Sequence, residues 1–321
     1  MKTIFSLILS STVFFSKAQE SNAEFNHIGK QNKTAEMNSK ETIKIHVLHC
    51  GLVQVDIGTP FKQKTLNPFA YAGIFRNKKH QVIIPVSAYL IEHPKGLVLV
   101  DAGWHTNVRE GKKAIIKQNG HLIYKASKPI LPEGQSINEQ LDSLGFSPGD
   151  IDYVVITHLD IDHADGLELV KNAKNILVSN EEWKAANKPN PRYNSNWWKE
   201  VNIKPFHFQD SGIGPQNRSY DLFDDGTLLL VSTPGHSKGL TSVLVRNKGK
   251  SVLLCSDVGY AKKSWGEMIL PGMTTNKQEA LASLKWVRQM SETIDCIEVI
   301  ANHDHDIEPH TIELPERCFI K

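Results

Sequence analysis

The feature that most constrains the fold of this chain is a dense group of histidine and aspartate residues directly after an apolar segment. Residues 152–157 read Asp-Tyr-Val-Val-Ile-Thr, which predicts a buried strand. His158, Asp160, Asp162 and His163 follow within six positions. Unpaired charges beside a buried strand would be costly, whereas imidazole and carboxylate groups are common metal ligands. The pattern therefore favours a metal site at the end of a strand over a solvated acidic turn.

Three further apolar runs, each typical of a strand, also end at a histidine or an aspartate. These residues are His236, Asp257 and His303. A metal site needs ligands from several segments, so we predict that the four strand ends meet on one rim of the fold. His305 repeats the His-Asp pattern of His303 and is an alternative ligand, but His303 is preferred because it directly follows the strand.

The rest of the chain is dominated by strand-like runs with helices interleaved between groups of them. Two apolar runs within residues 82–103, separated by His-Pro-Lys-Gly, predict a hairpin. Apolar residues spaced along one face of residues 277–290 predict an amphipathic helix. We therefore predict an α/β fold, an αββα sandwich in which helices flank two mixed sheets.

The first eighteen residues have the layout of a secretory signal peptide. Lys2 precedes an apolar run over residues 4–15, and a small-x-small pattern ends at Ala18. The run is shorter than the about 20 residues that a membrane span needs. We predict cleavage after Ala18, a flexible polar leader over residues 19–41, one folded domain over residues 42–321, and a periplasmic or secreted protein.

The charge of the mature chain gives no support for nucleic acid or an anionic membrane as a partner. The chain has 37 Lys and Arg against 35 Asp and Glu, and cleavage removes Lys2 and Lys17 without removing an acid, which leaves 35 of each. A small-molecule substrate is expected instead. Four cysteines are present without a CxxC pair, so a cysteine zinc site is not indicated. Export permits a disulfide, for which Cys296 and Cys318 are the candidates.

These ordered motifs resemble those of the metallo-β-lactamase superfamily from about Ile43 to the C-terminus. The superfamily's usual signature is HxHxDH, and Asp101-Ala-Gly and Thr233-Pro-Gly-His resemble its first structural aspartate and its downstream ligand turn. The resemblance implies two divalent metal ions, with Asp257 as the carboxylate that bridges them. The implied ligands are His158, Asp160, Asp162, His163, His236, Asp257 and His303.

Within the superfamily, the chain is similar to N-acyl homoserine lactonases. The segment from Pro85 to Asp101 resembles their opening hairpin, and Tyr260 stands three positions after Asp257, where such lactonases carry a tyrosine. The resemblance implies that a hydroxide held between two metals opens a lactone, with Tyr260 stabilising the oxyanion and Asp162 protonating the leaving oxygen. The alternatives are another hydrolase of the same fold, acting on a β-lactam or a thioester, and a metal-binding protein without turnover.

One residue departs from the signature, because Asp160 stands where the second histidine is usual. A carboxylate is a harder donor than imidazole, which favours iron or manganese relative to an all-histidine zinc site. Zinc is still the metal that the resemblance implies. Alternatively, Asp160 turns away and one metal is bound tightly by Asp162, His163 and His303. We predict two metals.

Overall fold

The structure is a computed structural model that describes residues 42–315. The predicted signal peptide and leader, and Cys318 of the suggested disulfide, lie outside the described residues. The strands form two mixed sheets, and helices lie outside both of them. No helix within residues 42–315 combines the length and the apolar character that crossing a membrane requires.

The first sheet has eight strands in the order β14-β1-β2-β3-β5-β6-β7, with β4 paired to β1. Its strands are β1 (Ile43–Asp56), β2 (Gln81–His93), β3 (Gly96–Val100), β4 (Lys128–Ile130), β5 (Tyr153–Ile156), β6 (Asn175–Ser179), β7 (Ile203–Phe206) and β14 (Thr311–Leu314). The pairs β3-β5, β5-β6 and β6-β7 are parallel, and the remaining pairs are antiparallel. β2 and β3 form the predicted hairpin.

The second sheet has six strands in the order β13-β12-β11-β10-β9-β8. These strands are β8 (Gln209–Asp210), β9 (Arg218–Asp221), β10 (Leu228–Ser232), β11 (Thr241–Asn247), β12 (Lys250–Leu254) and β13 (Cys296–Ile300). Only the pair β12-β13 is parallel among these strands. Both sheets are therefore mixed, as the sequence predicts.

Within residues 42–315, six α-helices and several 3₁₀ turns connect the strands. The α-helices are α1 (Lys112–Ala126), α2 (Ile137–Ser143), α3 (Ile161–Ala164), α4 (Asn180–Ala186), α5 (Lys262–Glu267) and α6 (Lys277–Ser291). The 3₁₀ turns are Ala70–Ala72, Lys78–His80, Thr106–Glu110, Pro148–Asp150, Asp165–Val170, Ser195–Trp197 and Ser256–Val258. α6 is the predicted amphipathic helix, whereas α1 is missed by the sequence pattern because left-handed Gly120 interrupts its periodicity.

Alternation along the strands builds three apolar layers. Successive side chains of a strand point to opposite faces of its sheet. Ile43 and Ile45 of β1 pack with Leu228 and Leu230 of β10 between the two sheets. This shared core holds the sheets face to face.

The outer faces of the sheets are covered by helices. Val53 of β1 packs with Ile137 of α2 in one outer layer. Val231 of β10 packs with Leu284 of α6 in the other. The order of layers is therefore helix, sheet, sheet, helix, which confirms the predicted αββα sandwich.

Candidate metal centre

The segment after β5 turns its polar side chains inward as it enters the four-residue helix α3. Asp160 is the N-cap of α3, and its carbonyl oxygen accepts hydrogen bonds from the backbone N–H groups of His163 and Ala164. The side chains of His158 and His163 are fully buried, and their ring centroids lie 4.1 Å apart. This segment therefore supplies a compact group of ligands from the first sheet.

Asp257 lies at the centre of the histidines, and its two oxygens face different pairs of them. Oδ2 lies 3.8 Å from Nε2 of His158 and 3.5 Å from Nε2 of His236. Oδ1 lies 3.4 Å from Nε2 of His163 and 3.3 Å from Nε2 of His303. A buried carboxylate between two histidine pairs has the geometry of a bridge between two cation positions.

Two further aspartates complete these positions. Oδ2 of Asp160 lies 3.3 Å from Nε2 of His158 and 3.1 Å from Nε2 of His236, and these three residues with Asp257 form what we call the first position. Oδ2 of Asp162 lies 3.6 Å from Nε2 of His303. The second position consists of Asp162, His163, His303 and Asp257. The structure thus brings together all seven residues that the sequence suggests as ligands.

Each histidine is oriented by a contact at its other ring nitrogen. Nδ1 of His163 donates to Asp101 at 2.7 Å, while Nδ1 of His303 and of His236 contact backbone carbonyl oxygens at 2.7 and 2.9 Å. Nδ1 of His158 lies 3.2 Å from Oγ1 of Thr157. Such contacts fix the ring and direct Nε2 towards a metal.

Asp101 organises the second position from behind. Its carboxylate accepts hydrogen bonds from the backbone N–H and hydroxyl of Thr157, from the amide of Asn302 and from the ring of His163. All four residues are buried. Asp101 therefore links the end of β5 to the segment after β13, which fits the structural role that the resemblance implies.

Several buried polar atoms of the cluster have no hydrogen-bond partner. These atoms are Nε2 of His158, His163 and His303 and Oδ1 of Asp257. Buried polar groups are almost always paired, because leaving one unpaired costs on the order of 1–3 kcal/mol. These unpaired atoms face one shared space, where bound cations would give each of them a partner. The donor set therefore fits divalent metal ions.

The carboxylates change the proton affinity of the histidines around them. Burial lowers the pKa of His163, but the charges of Asp101 and Asp257 outweigh it and raise the pKa well above its usual value. Burial also opposes protonation of His303, yet Asp257 and Asp162 raise its pKa. A metal ion needs the neutral imidazole, so protonation of these rings competes with metal binding at the second position.

Tyr260 lies against the second position. Its ring is stacked on His303 with centroids 4.7 Å apart and planes 20° apart. Burial raises the pKa of Tyr260 well above its usual value, and the charges of Asp257, Asp162 and Asp160 raise it further. The hydroxyl is therefore a protonated hydrogen-bond donor at neutral pH.

A cavity of about 190 Å³ opens beside the cluster. Its polar lining includes Asp160, Asp162 and Tyr260. Apolar side chains make up much of the remaining wall: Val53, Val55, Ile84, Ile123, Trp197 and Met273. Trp197 and Trp198 are adjacent in the sequence, and of the two only Trp197 is among the residues that line this cavity. Trp198 is buried, with its ring 6.2 Å from that of Trp183.

The alternative ligand His305 lies elsewhere. Its side chain is 70% exposed and faces Asp306, whereas that of His303 is fully buried in the cluster. The structure therefore places His303, and not His305, at the second position.

Two residues of the site were missed by the sequence analysis. The carboxylate of Glu182 accepts from the backbone N–H of Leu159 and of Gly239 and from the hydroxyl of Tyr193, so it ties together three segments around the cluster. The sequence indicates only that Glu182 belongs to a helix start. Arg192 pairs with Asp160, and it lies in a loop rich in Pro and Asn where no periodicity marks it.

Comparison with known proteins agrees with this geometry. The family model for the metallo-beta-lactamase superfamily matches residues 83–292. N-acyl homoserine lactonase AttM of Rhizobium radiobacter is 32% identical over 242 residues, which cover 73% of this chain and 87% of the relative. An N-acyl homoserine lactonase of Bacillus cereus is 28% identical over 232 residues, covering 70% of this chain and 82% of the relative.

Solved structures show the same fold. An N-acyl homoserine lactone hydrolase with N-hexanoyl-L-homoserine bound at its catalytic metal centre aligns with a TM-score of 0.65 and 24% identity, over 82% of this chain and 94% of that one. The dizinc lactonase AidC aligns with a TM-score of 0.53 and 16% identity, over 82% and 88%. The chain therefore belongs to the metallo-β-lactamase superfamily, and within it is related to the N-acyl homoserine lactonases.

Proposed function

We propose that this protein is a metal-dependent hydrolase that opens a lactone or a related ester, with N-acyl homoserine lactones as the substrate class. The observation that carries the proposal is the position of Asp257, whose two oxygens face two sets of ligands beside the cavity. A relative that is 32% identical is an N-acyl homoserine lactonase. Hydrolysis of such lactones would remove a diffusible quorum-sensing signal.

The proposed cofactor is two divalent metal ions, one at each position. Zinc is the metal we propose, and the hard oxygen of Asp160 would also suit iron or manganese. When bound, such ions lower the pKa of a water ligand towards neutrality and polarise the ester carbonyl.

The chain's own residues bind and orient the substrate around these ions. Tyr260 donates a hydrogen bond to the oxygen on which negative charge develops. Asp162 lines the cavity with its side chain 16% exposed, so its carboxylate can take the proton released by the attacking water and pass it to the leaving alkoxide, which yields a hydroxy acid. The apolar wall that contains Ile123 and Trp197 receives an acyl chain and keeps water from it.

Metal-dependent lactone hydrolysis tests this proposal. The purified protein, with its metal quantified, is assayed on N-acyl homoserine lactones of several chain lengths, a simple lactone, a thioester and a β-lactam. We expect kcat/KM for a lactone to exceed that for the β-lactam and the thioester by on the order of a hundredfold. Chelation should abolish the activity, and added Zn²⁺ or Mn²⁺ should restore it.

The same assay separates the alternative functions. Preferred turnover of the thioester or the β-lactam would assign the protein to another hydrolase class of this fold. Two bound metals without hydrolysis of any substrate would favour a non-catalytic metal-binding protein. Either result would contradict the lactonase proposal.

We further propose that the protein is exported, because residues 1–18 have the pattern of a signal peptide. The mature protein is expected to begin at Gln19 in a periplasmic or secreted fraction. Mass spectrometry of its N-terminus measures this directly. Recovery of the chain with Met1 from a cytosolic fraction would exclude export.

A further inference from the structure

A buried arginine lies beside the first position. The guanidinium of Arg192 donates through Nε to Oδ1 of Asp160 and through Nη2 to Oδ2 at 2.7 Å. Its Nη1 donates to the backbone carbonyl oxygen of His236 at 2.7 Å. The Arg192 side chain is only 9% exposed. One guanidinium therefore contacts two of the residues that form the first position.

The loop that carries Arg192 is fixed on both sides of it. The backbone N–H of Arg192 donates to Asn190, and the hydroxyl of Tyr193 donates to buried Glu182 at 3.0 Å. The side chain of Asn194 donates to the carbonyl oxygen of Gln118 at 2.9 Å. The loop is thus held in place by contacts that do not involve Asp160, and the guanidinium has one further partner besides Asp160, the carbonyl oxygen of His236.

The charges of the cluster explain why an arginine lies there. Asp160, Asp162 and Asp257 carry three negative charges, and Arg192 reduces the sum to two. Two is also the sum for the usual HxHxDH pattern, in which a neutral imidazole stands at position 160. Among residues 42–315, Arg192 is the one Lys or Arg side chain in an ion pair with these three carboxylates.

The pairing also sets the direction of the carboxylate. Arg192 holds both oxygens of Asp160 while Oδ2 lies 3.1 Å from Nε2 of His236 and 3.3 Å from Nε2 of His158. A carboxylate oxygen has lone pairs for two partners, so Oδ2 can accept from Arg192 and still ligate a metal. The arrangement orients Asp160 towards the cluster and not away from it.

We propose that Arg192 is a positioning residue that makes Asp160 a metal ligand, so that the Asp160–Arg192 pair together takes the place of the usual second histidine. The inference rests on the metal-dependent function proposed above only for the presence of divalent ions. Metal binding by a protein that hydrolyses no lactone would contradict that function and leave this inference standing.

A two-residue exchange tests the proposal through metal binding. Arg192→Met leaves Asp160 without its orienting partner, and Asp160→His leaves a buried cation facing a neutral ring. Each single variant is expected to lose about tenfold or more in affinity for one of the two metal equivalents. Because the double variant Asp160→His with Arg192→Met restores the usual histidine without an unpaired cation, we expect its affinity to return to near that of the parent.

Affinities for Zn²⁺ and Mn²⁺ are measured by competition with a chromophoric chelator, and stoichiometry by elemental analysis. The double variant should also favour Zn²⁺ over Mn²⁺ more than the parent does, because imidazole is the softer donor. Arg109→Met is the matched control, since Arg109 holds Glu139 through two hydrogen bonds of 2.8 and 2.6 Å away from the cluster. It should leave both affinities unchanged.

The outcomes are distinct even where a single variant folds poorly. Two metal equivalents bound by Arg192→Met with parental affinity would overturn the proposal. A double variant that binds no better than Asp160→His would overturn it as well, and this comparison does not require Arg192→Met to fold. If Arg192 had only a structural role, replacing it would not restore the metal affinity that Asp160→His loses.

Discussion

Replacing Asp257 with Asn is expected to remove bound metal and to lower lactone turnover by more than about a thousandfold. One carboxylate oxygen now faces His158 and His236, and the other faces His163 and His303. An amide keeps one oxygen but turns an NH₂ group towards one histidine pair, and it carries no charge to bridge two cations. Elemental analysis and turnover with the N-acyl homoserine lactone preferred by the parent are measured together.

Tyr260→Phe is the matched comparison. The ring can keep its stack on His303 while the variant loses only the hydroxyl, so both metals should remain. Loss of one oxyanion donor costs about 3 kcal/mol, on the order of a hundredfold in turnover. An Asp257→Asn protein that retains two metal equivalents would rule out the bridging arrangement, whatever its activity.

Gly235→Ala is expected to give the second large effect, on stability. Gly235 has a φ of 133°, and a Cβ added to it would lie 2.1 Å from the backbone nitrogen of Ala280. Its carbonyl oxygen accepts from the backbone N–H groups of Thr275 and Asn276, so the turn is docked on the start of α6. The backbone must move, and His236 moves with it. We expect a loss of about 3 kcal/mol, which lowers the melting temperature by roughly 10 °C.

Gly266→Ala is the control for this substitution. Gly266 lies on the exposed side of α5, and nothing lies within 4 Å of an added Cβ. Alanine in a helix should be neutral or stabilising by up to about 1 kcal/mol. Thermal unfolding and metal content are compared for both variants. A Gly235→Ala protein with the same melting temperature as the parent would show that the turn is not tightly docked.

The cluster could be predicted because its ligands follow apolar runs. A buried strand holds the residues at its end in a defined place. In the sequence, such an end appears as an apolar run followed by His or Asp. His158 and His303 stand 145 positions apart, yet both follow this rule and meet at Asp257. The fold was predictable for the same reason, since the apolar pattern of its strands can be recognised in the sequence without knowing which residues are in contact.

The partners of the ligands could not be predicted in this way. Arg192 and Glu182 act through side chains that reach across the fold, and no local pattern relates Arg192 to Asp160 or Glu182 to Gly239. For this reason the sequence left open whether Asp160 faces the metal site. The signature taken without Arg192 predicts that Asp160→His raises zinc occupancy relative to manganese or iron, whereas with the buried charge of Arg192 beside position 160 we expect that shift only in the double variant.

Each metal position draws ligands from both layers of the sandwich. Asp160 and Asp162 follow β5 of the first sheet, whereas His236, Asp257 and His303 follow strands of the second. Either layer alone therefore holds half of a chelating group, and folding presents the other half at an effective concentration that separate fragments could not reach. An ion that joins the halves would be a removable cross-link between the sheets, so its binding would add to the stability that their shared core already provides.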